Sequence, residues 1–128
     1  MLLVGSAGTD SAEAARIIND LRSLKGAASM FYFEEGRYPL PGSADDAGRL
    51  DDFSDRPMCE RYSVVIDEFT AGGNTHLTIG ITLPSGAGNA KIKAKLESRA
   101  MEAGLIDRNG GIYNSAATDS DRIFVQMN

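Results

Sequence analysis

The sequence predicts an α+β domain: a long amino-terminal helix packed on an antiparallel sheet of about four strands, with a second helix between two hairpins. Three observations carry this. Residues 14–35 hold an apolar stripe at helical spacing, Tyr62–Phe69 and His76–Leu83 alternate in strand fashion, and Asn89–Gly104 repeats the helical pattern between strand signals.

In the first helix, Ile17, Leu21, Leu24, Ala28 and Phe31 recur at steps of four, three, four and three, on one face. Tyr38 joins them as an anchor between helix and sheet. Ile18, Met30 and Tyr32 are expected to widen that face. Arg16, Asp20, Arg22, Lys25, Glu34 and Glu35 are read as the wet flank, available to neighbouring subunits. Gly36 can end the helix, and Pro39 holds Tyr38 extended and blocks continuation. Residues 1–9 read as a flexible lead-in or a non-native remnant, and residues 10–128 as a single globular domain. Thr9, Asp10 or Ser11 is the expected cap of the helix.

From Pro39 to Pro57 the chain turns polar. Asp45, Asp46, Asp51, Asp52 and Asp55 lie in a surface connection, with one short helical stretch around Asp46–Phe53 pinned by Leu50 and Phe53. The carboxylates do not match the twelve-residue calcium loop, so a solvated acidic loop is the expected reading.

Tyr62–Phe69 and His76–Leu83 form a hairpin around Ala71-Gly72-Gly73-Asn74. Leu77, Ile79, Ile81 and Leu83 make its dry face, and Thr78, Gly80 and Thr82 the wetter one. Pro84–Gly88 stops the second strand. A helix follows from about Ala90 to Ala103 behind an Asn89 cap, with Gly104 as terminator. Ile112-Tyr-Asn and Arg122–Met127 read as two more strands, joined by the polar loop Ser115–Asp121.

Function classes narrow quickly. The 128 residues carry 18 acidic and 13 basic side chains, a net charge of −5. Lys91, Lys93 and Lys95 spread around a helix and make no basic patch, so nucleic acid is not an expected partner. Cys59 is the only cysteine, which excludes an intrachain disulfide. His76 is the only histidine and has no second soft ligand at zinc spacing. No nucleophile elbow or phosphate-binding glycine motif occurs, and Cys59 with His76 lacks a recognisable orienter. The sequence therefore offers no enzyme. Asp119 and Asp121, with nearby carbonyls, are the one weak candidate for calcium; a plain surface loop is the competing reading.

The segment Ala14–Pro39 resembles the soluble half of the first helix in type IV pilins and in the pseudopilins of type II secretion systems. The matching residues are Asp20-Leu21-Arg22, Leu24, Ala27, Phe31-Tyr32 and Gly36-Arg37-Tyr38-Pro39. The resemblance covers about a fifth of the chain. It implies a filament subunit that assembles by helix packing without catalysis, with other pilin-like subunits and inner-membrane assembly machinery as partners. Residence in the inner membrane before assembly, and then in a surface or periplasmic filament, is also implied.

Three features depart from that family: the hydrophobic run with its early Glu is missing, Cys59 has no partner for a carboxy-terminal disulfide, and the Asn89–Gly104 helix is additional. The late calcium loop of the major pseudopilin loosely resembles Thr118–Asp121. The alternative to a filament subunit is a free-standing α+β binding or adaptor module, as a monomer or a dimer.

Overall fold

A computed structural model describes residues 2–54, 57–83 and 89–128, with side chains from residue 10 onward. The Pro84–Gly88 strand stop, Asp55 and Met1 lie outside the described residues. The elements run α1 (Leu2–Glu35), α2 (Ala44–Arg49), a 3-10 turn (Leu50–Phe53), β1 (Ser63–Ala71), β2 (Asn74–Thr82), α3 (Asn89–Ala103) and β3 (Arg122–Gln126).

The first helix is longer than expected. It begins at Leu2, so residues 2–9 continue the rod instead of leading into it, and Thr9, Asp10 and Ser11 lie inside the helix and do not cap it. From Ala14 onward its stripe is buried. Ile17, Leu21, Leu24, Ala28 and Phe31 are at most 2% exposed, and Tyr38 packs half-buried against the same core. Each large apolar side chain so buried contributes roughly 1.5–3 kcal/mol. Met30 and Tyr32 do not widen the stripe, because the helix has passed beyond its cover by then and both are exposed. Gly36 ends the helix at φ 74°, with its N–H donating to the Tyr32 carbonyl at 2.8 Å.

Gly72 and Gly73, both at positive φ, form the two-residue turn that sets Ala71 against Asn74. That turn fixes the register of β1 on β2, and β3 adds antiparallel to the other side of β2, giving the order β1-β2-β3. The sheet has three strands, where about four were expected. Ile112 makes only an isolated bridge to Ile106, which bridges Phe124 in turn, so 105–114 is a loop bound along β3 and not half of a second hairpin.

Ile66, Ile79, Ile81, Ile123 and Val125 belong to the core shared with α1. The other face is drier than its Thr and Gly content suggested. Phe124 lies across Gly80 so closely that a Cβ there would meet the Ile123 carbonyl oxygen at 2.3 Å, and Thr78 is fully buried. The 107–111 turn reaches over this face: Gly110 sits on the Phe69 ring and Arg108 pairs with Asp67 at 3.8 Å. A pattern of alternating residues cannot reveal a cover contributed by a distant loop. The additional helix, α3, meets α1, burying Leu96 and Ala100.

Candidate functional site

The residues singled out by sequence converge where α1 ends and turns back. Asp46 organises this turn. Its carboxylate accepts two hydrogen bonds from the Arg37 guanidinium, at 2.8 and 3.3 Å, and one from the Leu40 N–H at 2.9 Å. The Asp46 N–H donates to Ser43 Oγ at 3.1 Å, the cap of α2. Arg37 beside it holds the Asp46 carboxyl below the usual carboxylate range, against the opposing cost of burial. Arg37 and Arg49 both lie over the buried Phe31 ring, at 5.2 and 5.1 Å from its centroid. Tyr38 stacks on Tyr32 at 4.6 Å, and Phe53 meets Phe31 edge-on at 6.1 Å. Thus Gly36 turns, Arg37 clamps and Tyr38 stacks, each with a distinct physical job.

The flank residues divide. Asp20 is not on the wet flank: it is fully buried, accepting from Tyr62 O–H at 2.6 Å and from Arg61 at 3.3 Å. It ties the middle of α1 to the start of β1, which a helical wheel drawn from charge alone places outside. Burial, reinforced by that hydrogen bond, pushes the Tyr62 phenol up to about 12. Arg16 pairs with Glu13 at 3.6 Å, and Glu35 with Arg49 at 2.6 Å, which lowers the Glu35 carboxyl. Arg22, Lys25 and Glu34 are exposed. Beside them stand Met30 and Phe33, with Phe33 84% exposed.

The other acids are engaged within the fold. Asp51 Oδ1 accepts from the Met58 N–H at 2.8 Å and the Cys59 N–H at 3.3 Å. In the late loop, Lys93 Nζ meets Asp121 at 2.5 Å and Ser120 Oγ at 3.1 Å, so an ammonium lies where a calcium ion was considered. Tyr113 O–H donates to the Ser120 carbonyl at 2.8 Å, and Glu97 accepts from both Ser115 N–H and Oγ. Among the described residues no group of three or more His, Cys, Asp or Glu gathers round a metal position.

Cys59 and His76 are not brought together. The hairpin register sets His76 opposite Phe69, roughly 20 Å along the strand from Ser63, where the Cys59 segment joins β1. His76 stacks on Phe69 at 5.0 Å and lies 3.1 Å from Gln126 Nε2. Burial and nearby Asp51 push the Cys59 thiol up, away from the reactive thiolate.

Sequence reasoning missed the Asp46 hub, although Ser43-Ala-Asp-Asp46 is a readable helix-start signal. It also missed the Asp20–Tyr62 bond, for which no local signal exists. Among the described residues no helix is long and apolar enough to cross a membrane. Compared with family models, curated proteins and solved structures, the chain matches none.

Proposed function

We propose that this chain is a structural subunit of a type IV pilus or type II secretion pseudopilus, assembling by helix packing without covalent chemistry. One observation carries the reading. A single 34-residue helix runs on ahead of the sheet-packed stripe that starts at Ala14, and it leaves the sheet through the interlocked Gly36-Arg37-Tyr38-Pro39 exit. A helix of this length spans about 50 Å, more than a three-stranded sheet can cover, so part of it is free to meet other subunits.

In the filament, apolar burial between helices supplies the affinity at about 25 cal/mol per Å². Arg16, Arg22, Lys25, Glu34 and Glu35 set register by unlike charge, each pair adding under about 1 kcal/mol. Asp20 has no part in this, being spent inside the head. The partners are other pilin-like subunits and the inner-membrane assembly machinery, and the assembled filament stands at the cell surface or in the periplasm.

The test is mass spectrometry of the native protein together with immunogold labelling of filaments sheared from the producing cells. The expected result is a native chain with an apolar run of about twenty residues ahead of Ser11, and label along the filaments. A native chain that starts at Met1 and is absent from every filament fraction would leave the adaptor reading in its place.

A further inference from the structure

We infer that two copies of this chain pair through the outward flank of α1, antiparallel about a two-fold axis. Arg22, Gly26, Ser29 and Phe33 follow one another at steps of four, three and four, in a line down the solvent side of the helix, and all four are exposed. Arg22 and Phe33 are separated by roughly three full turns, so they point to the same side. Next to Arg22, α1 and α3 flank an open groove of about 370 Å³, lined by Ala15, Ile18, Asn19, Arg22, Arg99 and Glu102. Its floor is apolar and its rim carries two guanidiniums. Among the described residues, neither Arg22 nor Arg99 makes an ion pair.

The same helix carries what fits that groove: Phe33 as an exposed apolar knob, followed by the unpaired carboxylate of Glu34. Because groove and knob lie on one side of one rod, a second copy brings its knob to the groove by running antiparallel. That same rotation seats the first copy's knob in the second groove. Gly26 and Ser29 then meet at the axis, where open space around Gly26 lets the backbones approach.

Charge favours this direction. The flank is basic at Arg22 and Lys25 and acidic at Glu34, so antiparallel copies oppose unlike charges and parallel copies in register oppose like ones. An arginine over an aromatic face is a contact the chain already makes at Phe31. Pairing through the free edge of β1 is disfavoured, since its Asp67 and Glu68 would face the same acids of the partner strand.

This pairing does not rest on the filament reading. It uses the flank that filament neighbours would use, so it belongs to unassembled copies. Sedimentation velocity of the full chain, from low micromolar to about millimolar concentration, tests it. The wild type is expected to pass from monomer to dimer over that range. Phe33→Glu and Arg22→Glu should each weaken the dimer at least about ten-fold, with unchanged circular dichroism because both sites are exposed. Adding Glu34→Arg to Arg22→Glu should recover part of the loss. A wild type that stays monomeric throughout, a dimer indifferent to Phe33→Glu, or a double variant no better than Arg22→Glu would each overturn the pairing. None of these outcomes bears on the native amino terminus that decides the filament reading.

Discussion

The loop that follows α1 and the loop that precedes β3 are each fastened by one ion pair, but the buried partner is reversed. At the first, the carboxylate is desolvated and the cation stays wet: the Asp46 side chain is 7% exposed and that of Arg37 43%. At the second, the ammonium is sheltered and the acid is half in water: the side chain of Lys93 is 17% exposed and that of Asp121 47%. The buried member must collect its hydrogen bonds from the fold, and its loss orphans whatever served it. The wet member can be replaced by water. The difference teaches that equal distances do not mean equal contributions.

Removing Asp46 should therefore produce the largest effect. Asp46→Ala strips the acceptor from Arg37 and from the Leu40 N–H, and should cost about 3 kcal/mol in urea unfolding. A loss below about 1 kcal/mol would show that the first loop is held by its aromatic contacts instead. The same residue sets an acid limb. Its folded pKa lies below its unfolded value near 3.9, so its contribution is present above that value and disappears as pH falls through the lower, folded one. Asp46→Asn should flatten the decline of stability at that end of the pH range.

The far end of the first loop sharpens the comparison from the alkaline side. Tyr62 donates to buried Asp20, and its phenol pKa stands at about 12, against about 10 in an unfolded chain. A raised pKa means stability that is complete below about pH 10 and lost as pH climbs toward 12, by up to about 2–3 kcal/mol. Tyr62→Phe should remove that dependence while lowering stability near neutrality, and unfolding midpoints measured across the range would reveal both. In the late loop the corresponding change is smaller. Tyr113→Phe removes only the bond to the Ser120 carbonyl and should cost about 1–2 kcal/mol by thermal or urea unfolding.

What was legible in the sequence follows the range of the forces involved. The α1 stripe, the Gly36 stop, the two-glycine hairpin turn and the short helical stretch near Leu50 all arise from neighbours within a few residues, and each occurs where the pattern pointed. Long-range placement was not legible. Asp20 resembles any surface aspartate until Tyr62, forty-two positions away, covers it. Thr78 and Gly80 look like a wet face until the 107–111 turn closes over them. Ile112 resembles a strand residue but finds a single bridge partner, because the chain around it spends its bonds on a tight turn held by Asp107. At the candidate site, the exit motif was visible but its Asp46 partner was not singled out. The α1 flank was outlined correctly except at Asp20, and the exposure of Phe33 was not foreseen because Tyr32 was expected to turn inward.

The smallest predicted effect is also the one that separates the two fastenings most cleanly. Lys93→Met keeps the side-chain stem and removes the ammonium that bonds Asp121 and Ser120 Oγ. Asp121 is half exposed and recovers its hydration, Ser120 retains its carbonyl bond from Tyr113, and the methionine can still lie along the sheltered side of α3. The cost should be only about 0.5–1 kcal/mol, several-fold below Asp46→Ala. Since the ammonium also occupies the oxygens that a cation would need, the variant offers a second readout: calcium titrated against Lys93→Met should still give no rise in unfolding temperature if Asp119 and Asp121 cannot converge. A calcium-dependent rise in the variant but not in the wild type would mean that the lysine stands in for an ion. It would then be the cation's identity, and not its presence, that distinguishes this loop from its counterpart after α1.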